Sequence, residues 1–473
     1  MKRNTLFILL LLSVALKVSA QLPVLRVSFK GSLADSKDYL QGNMSLTDTD
    51  GSVIDLPAKF RSRGATAREF SMKPSFNMKL REVDGTEIDS TLCGLRSASS
   101  WILDAMAIDR ICMRNRVAFD IWNEFSKLPY ETQFGSRNGT VGKYVEVYIN
   151  NKYYGIYCLT DRINRKLLDL KKPQVEENGT YTVRGVIYKH GTMNLLNQNY
   201  ANTFSEDSAT LVIEYHDAWE LTEPEDYGGM QAWGPLYEIY RNRGNFEYVK
   251  EHFYLDNLAE YQVFIMAMGI ADNWGNKNSY ISARNIQADG NKRRFVYTPW
   301  DLDTSFGGGP KGEYYDGIYN DFFKVSDIPS ISSMPIPFGT CNSQAEFKEL
   351  LKEKWINGRK NAFAVTSVKN KLYAYRDLLI DSGAWKKSCD YWKTQKYTPC
   401  YVDDLAKEID YIVEWYRQRF AEMDSYFGID PSGIEELEYL PSDDVYYDLN
   451  GRVVKQPQHG VYIHQGKKVL FYE

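Results

Sequence analysis

The feature that most constrains this fold is a pair of short apolar segments on either side of a turn sequence. Residues 279–285 and 294–299 are predicted to be β-strands, and an Asp-Gly dipeptide at 289–290, which favours tight hairpin turns, lies between them. Asn278 and Asp301 are equally far from this turn, and equidistant residues face each other in an antiparallel hairpin. The spacing therefore predicts that these two side chains meet at the open end of the hairpin.

Two more carboxylates, those of Asp272 and Asp303, lie within a few residues of that open end. Carboxylate and carboxamide oxygens suit Mg²⁺, which commonly binds through one or two carboxylates together with substrate phosphates. A kinase core has the same order: a base Asp, an Asn, a hairpin, and a metal-binding Asp followed by Phe-Gly. Asp and Asn also collect at strand ends because they form turns and caps, so any one of these residues alone favours an ordinary turn, whereas the mirrored placement of Asn278 and Asp301 favours a site.

A second candidate region joins a basic glycine turn to a strand. Residues 60–66 are predicted to form a turn that carries Arg63 and Gly64, and residues 73–80 are predicted to form the strand. The apolar residues of that strand share one face, and Lys79 lies on the other. Such a turn and strand can hold phosphate oxygens, although alternating lysines more often mark a solvated strand face.

The remaining patterns predict an α+β chain in several parts. Helices are predicted at 113–127, 246–271 (one helix or a pair of helices), 344–380 and 402–427, and further strands at 24–29, 43–47, 143–149 and 153–159. The last of these strands ends near Asp161, in a connector that resembles the hinge between two lobes. The predicted parts are a secretory signal (1–20), a β-rich part with one helix (21–162), a part that carries the hairpin (163–427), and a linker with a small β tail (428–473).

Composition argues against several functions. The chain has a formal net charge of −5 and no long basic run, so nucleic-acid binding is not expected. Neither the cysteines nor the histidines have metal-ligand spacing, so zinc is not expected. Residues 1–20 have the charged start, short apolar core and small-residue cleavage site of a secretory signal, and no other stretch reaches the length of a membrane span. We therefore expect export to the periplasm, cell surface or medium, where Cys389 and Cys400 could form a disulfide.

Five blocks of sequence, taken in order, resemble the spore-coat-protein-H (CotH) kinase family over residues 24–425. The blocks are Arg61-Ser-Arg-Gly64 with Lys73-Pro-Ser-Phe-Asn-Met-Lys79; Trp101-Ile-Leu with Asp109 and Arg114-Asn115; Tyr144-Val-Glu-Val-Tyr-Ile-Asn150 with Tyr154-Gly-Ile-Tyr157; Asp272 with Asn278-Ser-Tyr280; and Trp300-Asp-Leu-Asp-Thr-Ser-Phe-Gly307. The resemblance implies an atypical two-lobed protein-kinase-like fold with a small C-terminal β appendage. Residues 447–463 resemble a short tail found on exported proteins of Bacteroidetes.

The resemblance also implies Mg²⁺-dependent transfer of a phosphoryl group from ATP to Ser or Thr of a protein. Asp272 would orient or deprotonate the acceptor hydroxyl. Asn278 and Asp301 would hold the Mg²⁺ (or Mn²⁺), with Asp303 as a second ligand. Asn276 remains an alternative to Asn278, because the interval after Asp272 is one residue longer than in standard kinases.

Basic residues near the N-terminal end would hold the nucleotide phosphates in the same scheme. Lys79, or less readily Lys73, would pair with phosphate, and Arg63 with the backbone at Gly64 would help to hold it. Asp161 stands where the family often has Glu after the central hairpin, so it is the candidate nucleotide-binding residue of the hinge.

Two other functions stay open. A catalytically inactive kinase fold could serve as a surface adhesin or a structural binding protein. A metal-dependent glycosidase would use Asp301 and Asp303, which would point to the same strand face about 7 Å apart, but nothing around them is typical of a hydrolase. The acidic set together with Lys73 and Lys79 favours the kinase, because a pure binding module does not need these residues.

Overall fold

The computed structural model describes most of the chain, and the structural statements below concern the described residues. These are residues 21–32, 38–64, 73–130, 132–133, 135–190, 219–225, 229–270, 273, 278–284, 294–309, 324–327, 337–394, 401–402, 404–430, 446–447, 453–454, 460–464 and 467–471. The predicted secretory signal, the Asp-Gly turn, Asp272, Asn276 and Cys400 lie outside them.

Strands and helices both contribute substantially, as predicted for an α+β chain. The strands are β1 (Val24–Phe29), β2 (Leu40–Thr47), β3 (Val53–Arg63), β4 (Ser75–Leu80), β5 (Ser100–Asp104), β6 (Gly142–Ile149), β7 (Lys152–Asp161), β8 (Gln174–Val175), β9 (Tyr181–Thr182), β10 (Gly185–His190), β11 (Trp219–Glu223), β12 (Ser279–Arg284), β13 (Phe295–Pro299), β14 (Tyr446–Tyr447), β15 (Val453–Val454), β16 (Gly460–His464) and β17 (Lys467–Phe471). The helices are α1 (Arg114–Phe125), α2 (Met230–Asn242), α3 (Phe246–His252), α4 (Leu255–Met268), α5 (Phe338–Cys341), α6 (Ala345–Gly358), α7 (Val365–Asp381), α8 (Ala384–Lys393) and α9 (Leu405–Tyr426).

The first seven strands close into a barrel in the order β1-β2-β3-β4-β5-β7-β6. Neighbours are antiparallel, except that β1 and β6 run parallel where the barrel closes. Apolar residues at alternate strand positions fill the interior, among them Phe60, Met78 and Trp101, which are almost completely buried. Because strand side chains alternate between faces, the residues between these core positions point outward and form a separate outer surface.

A second, antiparallel sheet carries the predicted hairpin. Its order is β11-β10-β12-β13, and helix α4 packs against β13. The ring of Tyr261 on the helix lies 4.9 Å from the ring of Tyr297 on the strand. Every residue of β13 is buried, which explains why this segment appears in the sequence as a continuous apolar run.

The hairpin exists, but the predicted register is wrong by one residue. Ser279 pairs with Pro299, so Trp300 rather than Asp301 is opposite Asn278. Trp300 N donates to the Asn278 carbonyl at 2.9 Å. The prediction assumed a two-residue turn, and with such a turn the number of residues between any two paired positions is even. In the structure Ala283 pairs with Phe295, and the number of residues between them is odd.

Two other local predictions also need correction. Residues 60–63, predicted as a turn, continue strand β3, and its register places Arg63 opposite Ser75.

Helices α2 and α8 were not predicted. Helix α2 contains Gly234 and Pro235, which normally mark loops, and tertiary packing overrides that preference because Trp233 and Leu236 are buried.

The chain divides into two compact units, residues 1–427 and 428–473. In the second unit the strands form a sheet of order β15-β14-β16-β17. The boundary expected at residue 162 stays a prediction. Across the described parts of both units, no helix is long and apolar enough to cross a membrane.

Candidate active site

A cavity of about 470 Å³ lies between the outer face of the barrel and the end of the second sheet. Its walls come from strands β3, β4, β5 and β7, from helix α1, and from the ends of β10 to β13. The lining residues are Arg61, Arg63, Gly64, Ser75, Asn77, Ile102, Asp104, Met106, Ala107, Ile108, Asn115, Arg116, Phe119, Thr140, Cys158, Thr160, Arg162, Lys189, Glu220, Thr222, Asn278, Tyr280, Trp300, Asp301 and Asp303.

Strand alternation builds the barrel wall of this cavity. Arg61 and Arg63 are two positions apart on β3, so both side chains point outward. Phe60, before Arg61, and Ser62, between the two arginines, are buried. The guanidinium of Arg63 lies 5.1 Å from the ring centre of Trp300, a cation–π contact across the cavity. The barrel wall is therefore basic, and its Arg63 contacts the opposite wall at Trp300.

The opposite wall is acidic and carries the predicted metal-binding residues. Asn278, Asp301 and Asp303 all line the cavity. Asn278 is only 7% exposed, and its Nδ2 has no hydrogen-bond partner among the described residues. A buried amide without a partner is costly unless a ligand or water satisfies it, so this side chain is suited to a bound group.

Asn273 holds the two backbone segments of this wall together. Its Nδ2 donates to the carbonyls of Asn278 at 3.0 Å and Trp300 at 2.9 Å, and the residue is completely buried. The amide of Trp300 completes the clamp through its bond to the Asn278 carbonyl. These bonds hold Asn278 and Trp300 together, so Asn278 and Asp301 line the same cavity although they are not directly opposite each other in the hairpin.

The segment from Asp301 to Gly308 is anchored by its apolar residues. Leu302 and Phe306 are completely buried, and Phe306 N donates to the Met268 carbonyl at 3.0 Å. Asp301 and Asp303 on either side of Leu302 remain partly exposed. Both Asp residues line the cavity, while the buried side chains of Leu302 and Phe306 hold the loop in place.

Asn115 links the acidic wall to the barrel. Its Oδ1 accepts from Leu302 N at 3.1 Å, and its Nδ2 donates to Asp104 Oδ2 at 2.9 Å. Asp109 fixes the start of the same helix by accepting from the backbone amide of Arg114 at 2.7 Å and from its guanidinium at 2.8 Å. Helix α1 thus positions the loop that carries Asp301 relative to β5.

Lys73, predicted as a catalytic lysine, does not line the cavity. It is completely buried at the end of the barrel, where its ammonium donates to the carbonyls of Ala105 and Ile156 and to the Tyr401 hydroxyl. Burial lowers its pKa to about 8. The contacts of Lys73 are those of a structural residue that joins the barrel to the segment around Tyr401.

Lys79 also lies outside the cavity lining. It is on the outer face of β4, beyond Asn77, and its ammonium lies 5.2 Å from the ring centre of Tyr39. Partial burial lowers its pKa, Glu225 raises it, and the positive charges of Arg162 and Arg61, both in the cavity wall, lower it further. Lys79 is thus near the rim of the cavity, whereas Arg61 and Arg63 are inside.

Asp161, predicted to bind the nucleotide at the hinge, is completely buried away from the cavity. Its Oδ2 pairs with Arg96 Nε at 3.1 Å, and its Oδ1 accepts from Val141 N at 2.9 Å. Burial raises the pKa of this carboxyl, and Arg96 opposes the shift. The next residue, Arg162, lines the cavity instead.

The donor set decides which metal the cavity could hold. Among the described residues no group of three His, Cys, Asp or Glu side chains is arranged to bind a metal. The predicted ligands, the two carboxylates of Asp301 and Asp303 and the carboxamide of Asn278, are too few for an all-protein cage, but they fit Mg²⁺, which completes its shell with water and phosphate oxygens. Asp272, the predicted base, lies outside the described residues.

Several cavity residues were not predicted as site residues. Arg61 could have been found from its spacing to Arg63, because residues two apart share a strand face. Asn115 belongs to a sequence block that resembled the CotH family, but nothing in the block indicated a link to Leu302. Arg162 and Lys189 carried no recognisable signal, since neither belongs to a motif.

An α+β fold whose cavity has a basic wall opposite clustered Asp and Asn side chains is compatible with a kinase-like protein. The family model described as CotH kinase protein matches residues 60–423, well over half of the chain. The chain therefore belongs to the CotH kinase protein family. No curated protein matches it.

Proposed function

We propose that this protein is an exported, atypical two-lobed protein kinase that transfers the γ-phosphate of ATP to Ser or Thr of extracytoplasmic proteins. The observation that carries the proposal is one cavity with two opposed walls. Arg61 and Arg63 line one wall, and Asn278, Asp301 and Asp303 line the other. Family membership supports the reaction class.

The two walls match the two charges of a metal–nucleotide complex. Asp301 and Asp303, with Asn278, would hold Mg²⁺, and the bound ion would neutralise phosphate charge. Arg61 and Arg63 would hold the phosphate oxygens from the barrel side, in place of the predicted Lys79 or Lys73. Guanidinium groups present a planar set of donors that suits phosphate, and the Trp300 ring holds Arg63 in position.

Catalysis in such a site depends on positioning. The buried anchors Leu302 and Phe306 and the bridge through Asn115 fix the carboxylates before the ligand arrives. Preorganised charges lower the barrier because they need not reorganise during the reaction. Asp272 would orient the acceptor hydroxyl, as the resemblance implied.

Transfer of labelled γ-phosphate from ATP to serine- and threonine-containing proteins tests the proposal. We expect Mg²⁺-dependent transfer by the wild type and a loss of about 100-fold or more in Asp301→Asn. Asn tolerates the left-handed backbone of Asp301, so this variant should fold. Asp390→Asn on the exposed surface of α8 is the matched control and should retain activity.

The outcomes separate the kinase from a binding protein. If the wild type transfers no phosphate to any acceptor but still binds Mg²⁺–ATP, the protein is a nucleotide-binding module and the enzymatic proposal is wrong. If transfer survives in Asp301→Asn, the cavity is not the site of the reaction.

A further inference from the structure

A second cavity, larger than the candidate active site, has a strongly basic lining. It encloses about 1360 Å³ and is lined by residues from the loop 91–97, from the stretch 123–137, from the connector 165–172, and by Arg184 and Arg284. Among the described residues of its lining, nine are Lys or Arg and one, Asp169, is acidic. The groove is therefore basic although the chain as a whole has a formal net charge of −5.

Four of the nine cations already have a carboxylate partner. Arg96, Arg165, Lys166 and Arg284 form ion pairs with N–O distances between 2.5 and 3.7 Å. These pairs position the walls of the groove and neutralise part of its charge.

The other five cations form no ion pair within the described part of the chain: Lys127, Arg137, Lys171, Lys172 and Arg184. Arg184 Nε donates only to the backbone carbonyl of Lys172, at 2.7 Å. Burial lowers the pKa of Arg137, Asp161 raises it, and nearby Arg96 and Arg116 lower it further. Clustered like charges in a cleft focus the field and attract anions, so the groove is suited to a ligand with several negative charges.

The chemistry of the lining narrows the class of that ligand. None of the described residues that line the groove is aromatic, although 14% of the whole chain is aromatic. Single-stranded nucleic acids rely on aromatic stacking as well as on cations, and the described lining offers only the cations. The polar positions are filled by side chains such as Thr91, Ser97 and Gln133, which can bond to peptide groups.

We propose that the basic groove binds an acidic polypeptide segment, rich in Asp and Glu, of a partner protein. The groove and the candidate active site both lie close to the end of β7. Arg96 in the groove pairs with Asp161, and the next residue, Arg162, lines the active-site cavity. A partner held by its acidic segment would therefore be retained beside the cavity, as a docked kinase substrate would be. Binding itself does not depend on the proposed phosphoryl transfer.

Fluorescence anisotropy with a labelled poly-glutamate peptide tests this proposal on the full chain, without nucleotide. We expect saturable binding that weakens at high salt, and no binding of a poly-glutamine or a poly-lysine peptide. The triple variant Lys127→Gln/Lys171→Gln/Lys172→Gln should weaken the affinity by about tenfold or more. All three side chains are exposed, so folding should be unaffected.

The matched control removes three exposed lysines elsewhere, in the variant Lys30→Gln/Lys348→Gln/Lys360→Gln. It should bind the peptide as the wild type does, and so should Asp301→Asn, which separates this proposal from the kinase proposal. Three results would overturn the inference: no binding of poly-glutamate, an equal loss in the control variant, or tighter binding of a single-stranded oligonucleotide of equal charge. The last result would assign the groove to nucleic acid.

Discussion

At the scale of single residues, three residues in or next to the acidic wall have an unusual backbone conformation. Asn278, Asp301 and Phe306 have φ values of 55°, 59° and 54°, in the left-handed region that side chains other than Gly rarely adopt. Each costs about 1 kcal/mol or more, and such residues concentrate where function requires a fixed geometry. Asn and Asp tolerate this region best, so the residue types that could bind a metal also suit the backbone.

Replacing Asn278 by Gly separates its ligand role from its backbone role. Gly adopts a positive φ without strain, and the carboxamide that is removed has an unsatisfied Nδ2, so the free energy of unfolding should change by less than about 1 kcal/mol. The affinity for Mg²⁺–ATP, measured by titration calorimetry, should fall by about tenfold or more.

Asn151→Gly is the matched control, because Asn151 also has a positive φ, of 67°, in the two-residue turn after β6. It should change neither stability nor affinity appreciably. Unchanged nucleotide affinity in Asn278→Gly would remove Asn278 from the site.

Lys73 should make stability depend on pH. The pKa of this lysine is lowered from 10.5 to about 8 in the folded protein, so between these values the unfolded chain binds one proton more than the folded protein. The free energy of unfolding of the wild type, relative to Lys73→Met, should therefore rise with pH by roughly 1 kcal/mol per unit between pH 8 and 10. Denaturant titrations across this range measure the difference, and parallel pH profiles would contradict the buried placement of Lys73.

At the scale of elements, helix α1 and the loop Asp301–Gly308 form one packed unit. A Cβ on Gly308 would lie 3.0 Å from both Cδ and Nε of Arg114, and 3.2 Å from the Asp303 carbonyl. Arg114 is held by Asp109 and is only 2% exposed, so it has little room to move. The absence of a side chain at Gly308 lets the loop approach the start of the helix.

Gly308→Ala should destabilise the protein by about 1–3 kcal/mol through overpacking, and it should also weaken Mg²⁺–ATP binding because Asp303 shifts. Gly339→Ala is the control. A Cβ there meets nothing within 4 Å, and the residue lies in helix α5, so stability should be unchanged or slightly higher. Equal stability of Gly308→Ala and the wild type, measured by thermal unfolding, would contradict the tight packing of this loop.

The elements that the sequence predicted correctly are those with a strong local pattern. Strand β4 shows buried Phe76, Met78 and Leu80 on one face, as alternation predicted, and helix α1 differs from the prediction by a residue or two at each end. The register of the hairpin was wrong because it depends on the length of the connection, which side-chain patterns do not encode. Helix α2 was missed because packing of Trp233 and Leu236 outweighs Gly234 and Pro235.

At the scale of the whole molecule, the site joins residues that are far apart in sequence. Arg63, Asn115 and Asp301 line one cavity only because the barrel closes and helix α1 packs against the second sheet. Sequence motifs indicated most of the acidic wall, since its residues are local to one hairpin. They placed Lys79, or less readily Lys73, in the site, because motif resemblance carries no information on which side chains the folded barrel buries or turns away from the cavity.

The division into two compact units predicts that the second unit is dispensable for nucleotide binding. A chain that ends at residue 430 retains all described cavity residues and the whole of α9. It should unfold in a single cooperative transition and bind Mg²⁺–ATP as the full chain does. Loss of cooperative unfolding, followed by circular dichroism, would show that residues 431–473 are required for the fold of the first unit.

The central claim is that the cavity between the barrel and the second sheet binds a metal–nucleotide complex. The most direct test is the thermal unfolding of the full chain with and without Mg²⁺–ATP. At a ligand concentration of 100 times the dissociation constant, the wild type should gain about 2.7 kcal/mol of stability, and Asp301→Asn should gain little or nothing. Asp390→Asn should respond as the wild type does. An equal response of the wild type and Asp301→Asn, or no response of the wild type, would contradict the claim.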